Sequence, residues 1–117
     1  MSEFTQFTIP DSIYDIAESL SSEGWFDSAS QAGVFALAYT IRKHFDDIDP
    51  SSLKYPGGGH NYNYNTFDPD RSWEEVISNL YNTDTPRTYF KNMMMWGLED
   101  IGKHIQETGL FQISDFI

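Results

Sequence analysis

The chain has 117 residues, enough for one domain with a modest core and too few for two. It contains no cysteine, which excludes disulfides, zinc–thiolate and iron–sulfur sites and cysteine nucleophiles. Its 18 acidic residues outnumber 7 basic ones, and the resulting net charge of −11 repels nucleic acid and anionic membranes while favouring basic partners.

In chain order, residues 4–9 ("FTQFTI") are β-prone, with Thr5, Phe7 and Ile9 on one side and Phe4, Gln6 and Thr8 on the other. Pro10 ends the strand, and Ser12 with Asp15 forms a candidate capping pair. Ile13, Ile16, Ala17 and Leu20 follow at helical spacing, and Gly24 suits a left-handed C-cap. Ser28 and Gln31 make a capping box for a second helix near 29–45, which is apolar nearly all round between Ala32 and Ile41. Such a helix is buried on more than one side, in the core or at a subunit interface. Arg42, Lys43 and His44 then complement the negative end of its dipole.

"DDIDPSS" stops that helix and leads into "YPGGGHNYNYNTFDPD", residues 55–70. The glycines mark a flexible break, and the alternation of Tyr62, Tyr64 and Thr66 with the asparagines reads as a strand. Ser72 with Glu75 caps a third helix whose stripe is Trp73, Val76, Ile77 and Leu80. Thr85 and Pro86 start a fourth, running to about Glu107 on Phe90, Met94, Leu98, Ile101 and Ile105. Gly97 and Gly102 weaken that helix by about 1 kcal/mol each, so close helix packing is expected there. Gly109 caps it, and "LFQISDFI" ends as a short strand or a docking tail.

The first 45 residues resemble the ribbon-helix-helix family of dimeric regulators and antitoxins. "TIPDSIYDIAESL", the glycine turn "SSEGWF" and "SASQAGVFALAYTIRKHF" give the strand–helix–turn–helix order. The resemblance implies that Phe4, Gln6 and Thr8 face the DNA major groove and that Ser28 or Ser30 meets phosphate. No lysine or arginine precedes Arg42, however, while Glu3, Asp11, Asp15, Glu18, Glu23 and Asp27 do. The resemblance therefore speaks for local architecture and dimerisation more than for DNA contact, and nucleic acid is disfavoured as a partner.

No catalytic set is complete. "PGGGHNYN" lacks the lysine and hydroxyl of a phosphate-binding loop. Asp68, Asp70 and Ser72 stand at calcium-loop positions, but Trp73 replaces the needed glycine and Asn79 the closing glutamate. Those aspartates are better explained as dipole partners of the third helix. His44, His60 and His104 fall in no metal-spacing motif. His60 alone is carried by a glycine loop, beside Asp68 or Tyr62, as a candidate general base without a marked nucleophile. In "MMMW", Met93 and Trp96 share a face with Tyr89 that lies off the main stripe and calls for cover by a partner.

The expected fold is mainly α (α+β), a single domain spanning 1–117. It divides into a strand–helix–helix element (4–45), a glycine-rich loop (46–70), a helical hairpin (72–108) and a tail (109–117). About four helices accompany the N-terminal strand, with 61–67 and 110–114 as candidates for a second strand. The expected function is that of a non-enzymatic, oligomeric interaction or regulatory protein. Its partners are a second copy of itself and a basic protein, with no cofactor, no metal and no membrane. The candidate contact residues are Tyr89, Met93, Trp96, His60, Tyr62 and Tyr64. A DNA-associated regulator and a small enzyme or metal protein centred on His60 are the alternatives. No apolar run reaches the roughly 20 residues of a membrane span, and "MSEFTQFTIPDS" has no signal-peptide pattern, so a soluble cytoplasmic protein is expected.

Overall fold

The computed structural model describes residues 3–117. The chain runs β1 (Gln6–Ile9), α1 (Asp11–Ser22), α2 (Ala29–His44), β2 (His60–Asn63), α3 (Tyr64–Phe67), α4 (Ser72–Tyr81) and α5 (Pro86–Thr108). Short 3₁₀ turns lie at Pro50–Ser52 and Ile113–Phe116. The fold is mainly α with one two-stranded antiparallel sheet, as the sequence predicts. Among the described residues no helix is long and apolar enough to cross a membrane.

The centre is the α2–α5 contact, which is made by small side chains. A Cβ on Gly97 would lie 2.4 Å from the Ala36 carbonyl oxygen and 2.5 Å from Thr40 Oγ1, so only glycine permits this approach. The buried Thr40 hydroxyl lies 2.9 Å from both its own-helix Ala36 carbonyl and the Met93 carbonyl of α5, tying the two backbones together. Gly33 likewise faces Met94, whose Sδ would be 2.8 Å from an added Cβ. α1 packs on both helices through Ile13, Ala17 and Leu20, all buried. The apolar girth of α2 is thus covered within the chain, and the surplus that suggested a subunit interface has an internal cause.

The same holds for the second face of α5. Met93 is fully buried, and Tyr89 packs on Tyr81 at 5.4 Å between centroids. Asn92 uses both amide hydrogens to hold the Pro50–Ser52 turn, at 2.8 Å from the Pro50 carbonyl and 3.3 Å from that of Leu53. The cover expected from a partner is largely supplied by this turn, α2 and α4.

Loop 61–67 is a strand only up to Asn63. β1 and β2 pair with Phe7 opposite Tyr62 and Ile9 opposite His60. Gly59 adjoins this ladder at φ +107°, where an added Cβ would meet the Ile9 carbonyl at 2.1 Å. After Asn63 the chain turns into α3, which buries Tyr64 and Phe67. Alternation alone could not reveal this, because Tyr64 and Phe67 are three apart and both face the core. The tail forms no strand at 110–114. Phe111 and Phe116 dock as a stacked pair at 5.5 Å, and Arg42 donates to the Phe116 carbonyl at 3.0 Å.

Helix ends follow local chemistry in places and distant chemistry in others. Ser28 accepts from the Gln31 amide at 3.2 Å, as the capping box requires. Gly24 and Trp25 donate back to Ser21 and Leu20 at 3.0 Å each, a Schellman closure. Gly109 caps α5 at φ +86°. The pairs Ser12–Asp15 and Ser72–Glu75, and the Thr85 side chain, make no capping bond. The Glu3 carboxylate instead closes α5, accepting from the Arg87 and Thr88 amides at 2.7 and 3.0 Å and from the Thr88 hydroxyl at 2.8 Å. Asp68 closes α4. Its fully buried carboxylate accepts from the Trp73 and Glu74 amides at 3.0 and 2.9 Å and from the Tyr64 hydroxyl at 2.7 Å. That occupancy accounts for Asp68 without a cation. On α4, Trp73, Ile77 and Tyr81 face inward, while Val76 and Leu80 are each 48% exposed and lie off the core stripe expected for them.

Two measurements check these contacts. Gly97→Ala should lose about 1–3 kcal/mol in urea unfolding despite alanine's better helix propensity, because overpacking against backbone outweighs it. Gly57→Ala, which meets nothing within 4 Å, should stay within about 0.5 kcal/mol. Asp68→Ala, which strands two amides and a buried hydroxyl, should cost about 3–5 kcal/mol by the same assay.

Candidate functional site

Two places on the surface concentrate chemistry. The first is the end of the sheet. His60 is exposed, and its ring stacks on Tyr14 of α1 at 3.7 Å between centroids and 16° between planes. Its Nε2 lies 3.5 Å from Asp11 Oδ1, so its carboxylate neighbour is Asp11; Asp68 is buried and committed elsewhere. Tyr62 is half-buried between Tyr14 and Phe67. Tyr64 is wholly in the core, beneath the Arg87 guanidinium at 4.5 Å from its ring centroid. Burial and then the Asp68 carboxylate hold its hydroxyl well above the usual tyrosine range. The loop that carries His60 is therefore built into the domain on its tyrosine side.

The second place is a groove of about 600 Å³ between α1 and α5. Ile13, Ile16, Gly102 and Ile105 form its floor, Trp96 stands at its wall, and Ser12, Glu99, Asp100, Lys103 and Gln106 line its edges. It is continued along α1 by a smaller hollow that adds Asp15, Ser19, Leu20 and Glu23. Ile16 packs directly on Gly102, where an added Cβ would lie 2.6 Å from its Cδ1.

Asp100 connects this groove to a polar chain that the sequence did not reveal. Tyr39 OH donates to Asp100 Oδ2, and His44 Nε2 lies 3.1 Å from the same hydroxyl. His44 Nδ1 lies 2.9 Å from Asp47 Oδ2. Both His44 nitrogens are thus engaged, one by Tyr39 and the other by Asp47. His104 closes the cluster, with Nδ1 3.8 Å from Asp100 Oδ2 and its ring edge-on to Phe116. Burial first, and then Asp100, push the Tyr39 hydroxyl far above its ordinary range. Burial and the Glu99 carboxylate do the same to Tyr55. Among the described residues no three histidines, cysteines or carboxylates converge as a metal cage.

The expected contact residues scatter. Of the six, only Trp96 lines the groove, where its ring lies 4.7 Å from that of His44. His60 and Tyr62 belong to the sheet end, Tyr89 packs on α4, and Met93 and Tyr64 are core residues with no surface to offer. Of the positions implied by the ribbon-helix-helix resemblance, Gln6 is exposed and accepts from Asn61 at 3.2 Å. Phe4 is half-buried beneath Lys91, at 5.4 Å, and Thr8 is half-buried opposite Asn61. Ser28 and Ser30 share a hydrogen bond of 2.9 Å at the start of α2. β1 pairs with β2 of its own chain.

No protein-family model matches the chain, and no curated protein is similar enough to assign one.

The buried tyrosines make a pH prediction. Their folded-state protons are held more tightly than those of the unfolded chain, so stability is full below about pH 10 and falls as pH rises beyond it. Each such tyrosine removes up to about 1.4 kcal/mol per pH unit. Urea midpoints between pH 9 and 11.5 should decline for the native protein and decline less steeply for Tyr39→Phe.

Proposed function

We propose that this protein is a small, acidic, non-enzymatic interaction module that acts by binding a basic protein. One observation carries the proposal: the acidic residues of α1 are exposed, and among the described residues no lysine or arginine forms an ion pair with them. Asp11, Asp15 and Glu18 lie on the solvent side of α1, and Glu23 follows at its end. Their burial state argues against a structural duty, since none is needed to satisfy a buried donor. Charge so arranged steers association with cationic surfaces.

A charge-reversal capture experiment tests this. The full-length chain and an Asp11→Lys/Asp15→Lys/Glu18→Lys variant are immobilised and exposed to extract from their own cells at about 150 mM salt. Basic proteins should be retained by the first and lost from the second. Retention of nothing, or retention indifferent to the reversal, removes the proposal.

A further inference from the structure

The α1–α5 groove has the shape and charge of a receptor for one kind of segment. Its floor is aliphatic: the part-exposed Ile16 on α1 and Ile105 on α5 lie over the buried Ile13, with Ile16 seated directly on Gly102. Its borders carry Asp15, Glu23, Glu99 and Asp100 against a single lysine, Lys103. Two packed helices with a trough between them offer a seat for a third, and α1 is 12 residues long, or about 18 Å, room for roughly three turns of an incoming helix.

We infer that this groove binds an amphipathic helix of a partner protein, with aliphatic or aromatic side chains at i, i+3/i+4 and i+7 on the isoleucine floor and lysines or arginines on the two acidic borders. This locates the contact for the basic-protein function proposed above, and rests on it. Charge selects the occupant. A second copy of this chain would bring its own acidic α1 borders against these and be repelled, and an anionic lipid or nucleic acid surface is repelled likewise. The recognition is of the helix-in-groove type, in which apolar anchors give affinity and border charges give orientation and speed. Trp96, half-exposed at the wall, supplies an aromatic contact for an anchor side chain.

The test uses the isotopically labelled full chain and two synthetic peptides of about 14 residues, four helical turns. Both have one leucine and lysine composition. In one the leucines form a helical stripe, and in the other they are scattered. The striped peptide should bind with a micromolar dissociation constant, at least tenfold tighter than its isomer, and should shift the amide resonances of Ile16, Gly102 and Ile105. Asp15→Lys/Glu23→Lys, at exposed positions, should weaken binding about tenfold with an unchanged melting temperature. Equal binding of both peptides, or shifts confined to other faces, overturns the groove inference while leaving the capture result above intact. No peptide binding together with no captured protein overturns both. A dimer mass by light scattering that the double substitution abolishes also overturns it, by showing that a second copy fills the groove.

Discussion

The contact of Gly97 with the Ala36 backbone fixes how close α2 and α5 can lie, and the rest of the molecule is arranged around that distance. With the two helices drawn together, methionines and phenylalanines fill the flanks instead of the interface itself. Thr40 can then bond across to the Met93 carbonyl. α1 lies over the pair and meets α5 at another glycine, Gly102, where Ile16 enters. The trough between α1 and α5 is the outer side of this arrangement. Two small residues of one helix, Gly97 and Gly102, thus set how closely α2 and α1 approach α5.

Buried carboxylates do the work at the other end. Asp68 receives three donors and fixes the start of α4, and its Tyr64 partner lies under Arg87. Arg87 bonds Glu74 at 2.8 Å and the Phe4 carbonyl at 3.0 Å, so strand, turn and two helices share one guanidinium. Acidity in this chain is therefore of two kinds. Asp68 and Glu3 are consumed by amides and hydroxyls inside the fold, whereas the carboxylates of α1 are left to solvent. Net charge does not separate them, but burial does.

How far the sequence could be read follows from the range of the contacts. The glycines of α5 announced close packing because helix propensity and position are local properties, as did the Ser28–Gln31 box and the Gly109 cap. The main stripes of α1 and α5 were legible for the same reason, since periodicity follows from burial on one side. The caps of α4 and α5 were not. Asp68 stands four residues before α4, and Glu3 stands more than eighty before Thr88, while nearer serines and threonines offered themselves. Val76 and Leu80 fit the helical period but lost the core to Trp73 and Tyr81, because α4 covers α5 with its aromatic side. The polar chain of Tyr39, His44 and Asp100 joins residues 61 apart, which no spacing rule detects. The burial of Tyr64 arose from a change from strand to helix in mid-pattern.

The Glu3 clamp has a consequence for the order in which the molecule assembles. Residues 3–9 are synthesised well before their partners, which are β2 at 60–63 and the amides of residues 87 and 88. At about 5–20 residues per second, the segment waits several seconds before either exists. Closing so long a stretch of chain is entropically slow compared with forming local helix pairs. The strand is thus made long before it can pair. Until β2 is made, Phe7 and Ile9 lack their cover and the edge of β1 is open.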